Sequence, residues 1–166
     1  INVRVKTMTW EAEGIMRVLL APVTGRLPPA EPGAHVDLHL PGGAVRQYSL
    51  TAGSTPDGYV LGVLREKASR GGSKVVHEAL RPGQVVEMSP PRNTFALDDS
   101  TAPVLLISGG IGVTPILAMA DMLAGTDRDW SMTACARERD VLAFSDELAA
   151  LGARTRFDDE DGPPDL

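Results

Sequence analysis

Three short stretches combine residue types in spacings that suit the binding of phosphorylated cofactors. The first is Ser108-Gly109-Gly110-Ile111-Gly112-Val113-Thr114-Pro115, set between an apolar run and an amphipathic one. Glycines let backbone amides come close to a pyrophosphate, and the N-terminus of a following helix adds unpaired N–H donors and a favourable dipole. Pro115 suits a first helical turn, where its missing N–H is no loss. The spacing departs from G-x-G-x-x-G, and a glycine-rich strand-to-helix turn also has purely structural uses.

The second stretch is Arg46-Gln47-Tyr48-Ser49-Leu50. A flavin needs a flat apolar face, hydrogen-bond partners at its ring edge and a cation for its phosphate, and Tyr48, Ser49 and Arg46 offer one of each. Strand alternation puts Arg46 and Tyr48 on one side, although a Tyr beside a Ser in a strand also serves ordinary packing. The third stretch, Arg70-Gly71-Gly72-Ser73-Lys74-Val75-Val76-His77-Glu78, reads as a glycine turn opening a helix. Free amides at Gly72 to Lys74, with the Ser73 hydroxyl, form a nest for a terminal phosphate; the alternative is a plain capped helix. His77, one turn on, reads as a packing or surface residue or as a neighbour of that site.

The elements that must position these stretches differ between the two parts of the chain. Up to about residue 99, short strand-like runs (Val3 to Thr9, Gly14 to Ala21, Val36 to Leu40, Tyr59 to Arg65) are separated by Pro28-Pro29, Pro32-Gly33, Pro41-Gly42-Gly43, Pro56-Asp57-Gly58 and Pro82-Gly83. That spacing predicts a small antiparallel β-barrel, with one helix from Lys74 to Leu80 capped by Ser73. A polar passage from Asp98 to Pro103 marks the expected boundary between a domain over residues 1–99 and a second over 103–166. Beyond it come strands at Val104 to Ser108, Trp130 to Cys135 and Arg154 to Phe157, with helices at Pro115 to Ala124 and Val141 to Leu151. This βαβαβ series implies parallel strands in an α/β nucleotide-binding domain, and three strands make an incomplete one. Residue 1 is Ile and no leader pattern follows, so the numbering is expected to begin inside a longer chain.

Bulk properties exclude several classes. The 166 residues carry one cysteine, Cys135, and three scattered histidines, too few for a disulfide scaffold, an iron–sulfur centre or a structural zinc site, so no metal is expected on this chain. A cytoplasmic setting is expected, and no run approaches the roughly 20 apolar residues of a membrane span. Residues 1–99 are net +1 and residues 100–166 net −7, giving the overall −6, which makes nucleic acid a poor partner.

The ordered series R-Q-Y-S-L, G-G-S-K-V-V-H-E, P-R-N-T-F (Pro91 to Phe95), G-G-I-G-V-T-P and C-A-R-E (Cys135 to Glu138) resembles the phthalate dioxygenase reductase family over nearly the whole chain. In that family an FMN barrel is followed by a nicotinamide domain and a plant-type 2Fe-2S ferredoxin domain, and electrons go to an oxygenase, either a separate component or a fused domain. The resemblance implies FMN against Arg46, Gln47, Tyr48, Ser49 and Leu50, with its phosphate near Arg46, Gly71, Gly72 and Ser73. It implies NADH at Gly109, Gly110, Gly112 and Thr114, with Arg137 at its ribose or phosphate. Ser49 is the candidate partner for flavin N5, and Thr114 the candidate seat of the nicotinamide; neither need be an acid or base.

Leu64 departs from relatives that carry Lys in a V-K-R-E run, and the later C-G-P motif and ferredoxin cysteines are missing. Glu138 is placed to accept from an adenosine 2′-hydroxyl, which favours NADH, while Arg137 and Arg139 suit a 2′-phosphate. An FAD-type ferredoxin reductase-like enzyme, or a flavin relay that never meets a nicotinamide, remain the alternatives.

Overall fold

The structure, a computed structural model, describes residues 1–66 and 72–162. Alternation of β-branched and polar residues builds β1 (Asn2–Ala12), β2 (Ile15–Pro22), β3 (Ala34–His39), β4 (Val45–Ser49) and β5 (Tyr59–Leu64). After α1 (Gly72–Ala79) come β6 (Val85–Met88) and the two-residue β7 (Arg92–Asn93). These strands form one antiparallel sheet in the order β4-β3-β6-β1-β2-β5, with β7 on β3. A bridge between Leu50 and Leu61, beside the 3.1 Å hydrogen bond from Thr51 N–H to the Val60 carbonyl, joins the end of β4 to β5 and closes the barrel. The expected antiparallel barrel is therefore present.

Inside the barrel Val3, Val5, Leu20, Val36, Tyr59 and Leu61 are fully buried, and Val76 and Leu80 at the end of α1 belong to the same core. The helix begins at Gly72, so Ser73 lies within its first turn rather than capping it, and the Ser73 hydroxyl accepts the Glu66 N–H at 3.1 Å. The loop into β3 depends on Gly33, which sits at φ +92° with the Phe95 carbonyl against the position a Cβ would take. Gly33→Ala would combine left-handed strain with that overlap, and should lower stability by about 2 kcal/mol or more. Urea unfolding checks this, and a loss below about 0.5 kcal/mol would mean that the loop moves aside freely.

The second part has its own core. β8 (Val104–Gly109), a 3-10 turn at Gly110–Gly112, α2 (Val113–Ala124), β9 (Trp130–Ala136), α3 (Ser145–Ala150) and β10 (Arg154–Phe157) alternate as expected, followed by a short α4 (Asp158–Asp161). The three strands pair in parallel in the order β10-β9-β8. The expected helix from Val141 is shorter, because Leu142, Ala143 and Phe144 turn into the core before α3 starts at Ser145. Arg128 pins the connecting passage, donating to the carbonyls of Ala102 (2.7 Å) and Asp98 (2.6 Å) and to the Ser100 hydroxyl (3.2 Å). The tip of the β1–β2 hairpin reaches into this second core through Ala12 and Ile15. Among the described residues no helix is long and apolar enough to cross a membrane.

Candidate functional site

β4 presents the first candidate group. Arg46 pairs with Leu38 and Tyr48 with Val36, so both leave the strand on the side of the barrel core, and both are half-buried. The Arg46 side chain lies directly over Gly72: a Cβ there would stand 2.5 Å from its Cγ and 2.8 Å from its Cδ, and nearer still to Nε. The glycine at the start of α1 thus leaves a berth for this guanidinium, which also donates to the Val45 carbonyl at 2.7 Å. Burial pushes the Tyr48 phenol up to about 12, against a smaller downward pull from the Arg46 charge. A phenol so placed stays neutral and offers a ring face rather than a proton.

Gln47 leaves on the opposite face, beside Asp37, whose carboxyl is held below its usual range chiefly by the Arg92 guanidinium at 2.7 Å and further by Gln47. Leu50 is buried in the barrel core, and Ser49 is half-buried at the strand end. His77 Nε2 donates to the Val63 carbonyl at 2.9 Å, tying α1 to β5, which gives it a structural task. In the P-R-N-T-F run, Asn93 donates to the Pro32 carbonyl at 2.9 Å and accepts from the Phe95 N–H at 3.0 Å. That run therefore braces the loop around Gly33. Gly71 lies outside the described residues.

The glycine turn at the end of β8 is open. A Cβ on Gly109, Gly110 or Gly112 would meet nothing within 4 Å. Gly110, at φ +52°, has a backbone reason to be glycine, but Gly109 (φ −127°) and Gly112 (φ −60°) have none, and neither is crowded. Space left clear before a helix N-terminus suits a close-lying phosphate better than a merely structural turn. Ser108 Oγ at the mouth of this turn is buried without a hydrogen-bond partner, as is Thr51 Oγ1 just after β4. A buried hydroxyl left unpaired costs about 1–3 kcal/mol, so each stands ready for a ligand or a water.

The two regions meet at Gly62, in the middle of β5. A Cβ there would lie 2.8 Å from the Thr114 methyl and 2.9 Å from the Phe144 ring. Carried one residue on from the Leu50–Leu61 bridge, the antiparallel register sets Ser49 opposite Gly62. The Thr114 methyl thus rests on β5 at the position facing Ser49 in register, while the Thr114 hydroxyl donates to the Ile111 carbonyl at 3.0 Å and holds the turn.

Gly62 was not among the expected site residues. A glycine inside the apolar run Tyr59 to Leu64 is its sequence signal, since strand glycines mark close backbone approach. Arg137 and Glu138 are exposed beyond β9, and Arg139 is held at 2.6 Å by both carboxylate oxygens of Glu160, over the Phe157 ring.

No protein-family model matches the sequence. A vanillate O-demethylase oxidoreductase from Pseudomonas sp. is 49% identical over 142 residues, covering 84% of this chain and 45% of the relative. The beta subunit of a phenoxybenzoate dioxygenase from Ectopseudomonas oleovorans is 39% identical over 167 residues, covering 98% of this chain and 52% of that one. Among solved structures, a phthalate dioxygenase reductase, described as a modular structure for electron transfer from pyridine nucleotides to 2Fe-2S, superposes with a TM-score of 0.92 at 32% identity, over 100% of this chain and 54% of the other. The chain thus spans about half the length of these relatives. Over most of its length it is a homologue of the phthalate dioxygenase reductase-like oxygenase reductases, with the ferredoxin reductase-like fold that they share.

Proposed function

We propose that this chain is the flavin-binding part, residues 1–99, and the first portion of the nicotinamide-binding part, residues 103–166, of an NADH-dependent reductase. In this reading the reductase serves an oxygenase, separate or fused, through a 2Fe-2S ferredoxin domain carried outside this chain, in the cytoplasm. The observation that carries the reading is the close contact of the Thr114 methyl with β5 at Gly62, the position that the register sets opposite Ser49. It supports a nicotinamide on the Thr114 side and a flavin on the β4 side. The residues fit the cofactor: Arg46, berthed over Gly72, suits a phosphate, and Tyr48, neutral and half-buried, suits a ring face.

A flavin held here would supply the exchange between two-electron and one-electron chemistry that joins a nicotinamide to an iron–sulfur carrier. The chain's own contribution is placement. Arg46, Gly71, Gly72 and Ser73 hold the phosphate end; Gln47 and Leu50 set the frame of β4; and Ser49 supplies a hydrogen bond at the ring edge. Gly109, Gly110 and Gly112 let the dinucleotide lie against backbone amides, Arg137 meets its ribose or phosphate, and Thr114 seats the nicotinamide. Holding two reactants in register is worth several orders of magnitude in rate without any acid or base. FMN is the expected flavin; releasing it from the purified full-length protein and weighing it tests this, and FAD would contradict it.

The dinucleotide preference turns on Glu138. Arg139, engaged by Glu160, is less suited to a 2′-phosphate than Glu138 is to a 2′-hydroxyl. We expect the full-length protein to favour NADH over NADPH in kcat/KM, and Glu138→Gln to reduce that ratio about tenfold. A parent that favours NADPH would defeat the assignment, and an unchanged ratio in the variant would remove Glu138 as the discriminator.

A further inference from the structure

Phe144 has the only left-handed backbone outside glycine among the described residues, at φ 60° and ψ 36°, and its side chain is buried. A bulky residue keeps that conformation only where its surroundings over-determine it. Here they do. The Phe144 N–H donates to Glu11 Oε1 at 2.8 Å, and Glu11 Oε2 takes the Arg17 Nε–H at 2.6 Å. Arg17 also binds Glu147, and its guanidinium lies 4.8 Å from the centre of the Phe144 ring. Burial works against the Arg17 charge, and the two carboxylates more than offset it. A backbone bond from Glu13 N–H to the Asp140 carbonyl at 2.7 Å fastens the same hairpin to the same segment. The β1–β2 hairpin of the flavin barrel thus grips the loop before α3 of the nucleotide half.

The far edge of the ring rests on Gly62. Beside the Thr114 methyl, Phe144 Cε2 and Cζ would stand 2.9 and 3.1 Å from a Cβ at that position. Glycine inside a strand weakens it, and here the return is a close approach of both groups to the β5 backbone. We propose that Phe144 is a positioning residue: gripped by Glu11 and Arg17, its ring sets how closely the Thr114 turn rests on β5, and through that the approach of nicotinamide to flavin. This rests on the proposed function for its consequence, but not for the clamp itself.

The test uses Phe144→Leu, Phe144→Gly and Gly62→Ala in the full-length, flavin-loaded protein. Glycine relieves the left-handed strain at 144 while removing the ring, so a purely conformational role predicts that it behaves like the parent or better. A positioning role predicts that all three variants lose about tenfold or more in the limiting rate of flavin reduction at saturating NADH. Flavin content should be kept, and the apparent Kd for NADH should stay within about twofold.

Hydrogen exchange at the Glu13 amide, which needs no cofactor, should quicken in both Phe144 variants. Limiting rates within about twofold of the parent would overturn the proposal, as would rates that fall only in step with lost flavin, or unchanged exchange at Glu13. If the parent itself is not reduced by NADH, the functional reading fails, and the exchange result alone decides whether Phe144 forms the clamp.

Discussion

Replacing Arg46 with alanine is expected to raise the dissociation constant for flavin about tenfold to a hundredfold while leaving the barrel folded. Charge-assisted hydrogen bonds to a phosphate are worth about 1.5–3 kcal/mol each, and that range converts to the stated loss. The fold does not depend on the guanidinium to a similar degree, since the fully buried barrel core is made by apolar side chains such as Val36, Leu38 and Leu61, and Arg46 is only half-buried beside it. The berth over Gly72 places the charge against the start of α1, so the guanidinium and the helix N-terminus would favour a phosphate from the same side. Equilibrium titration with FMN, alongside thermal unfolding of the apoprotein, separates the two effects. Unchanged flavin affinity would remove Arg46 from the site.

The second large effect is expected at the glycine turn. Gly110→Val in the full-length protein should abolish reduction by NADH and leave the flavin in place. Valine at φ +52° is strained by roughly 1–2 kcal/mol, and its branched side chain would fill the space that is now clear before the backbone amides. The barrel core does not include this turn, so flavin binding has no reason to follow. Rapid mixing with NADH under anaerobic conditions reads the first half of the prediction and the flavin absorbance the second. A variant reduced at the parent rate would make the turn structural only.

Local patterns carried most of this architecture. The alternation in Val3 to Thr9 and Val36 to Leu40, the Pro-Gly breakers and the Gly109–Pro115 turn each determine their own neighbourhood, and the structure has the barrel and the parallel strands that they imply. β6 was not legible because Val85–Met88 is four residues long and takes its conformation from pairing with β1 and β3, which are distant in sequence. The start of α3 was misplaced for a similar reason: the apolar run Val141 to Phe144 matches a helical face, but tertiary contacts draw it into the core and turn Phe144 left-handed.

At the candidate site, residue type alone pointed to Arg46, Tyr48 and the glycine turn. Gly62 stands out as a glycine inside an apolar strand run, but what it accommodates, like the Glu11–Arg17–Phe144 grip, emerges only when the hairpin, β5 and the loop before α3 are brought together. Ser73 shows the converse, where a local rule assigned a cap and the helix starts one residue earlier, leaving its hydroxyl to Glu66.

The most direct test of the central claim is the anaerobic addition of NADH to the full-length protein carrying its flavin, followed through the visible flavin absorbance. The contact of the Thr114 turn with β5 at Gly62, opposite Ser49 in register, predicts that the band bleaches at stoichiometric NADH within the mixing experiment. A band that persists with NADH in excess would contradict the account and leave a flavin-binding chain that never receives a hydride.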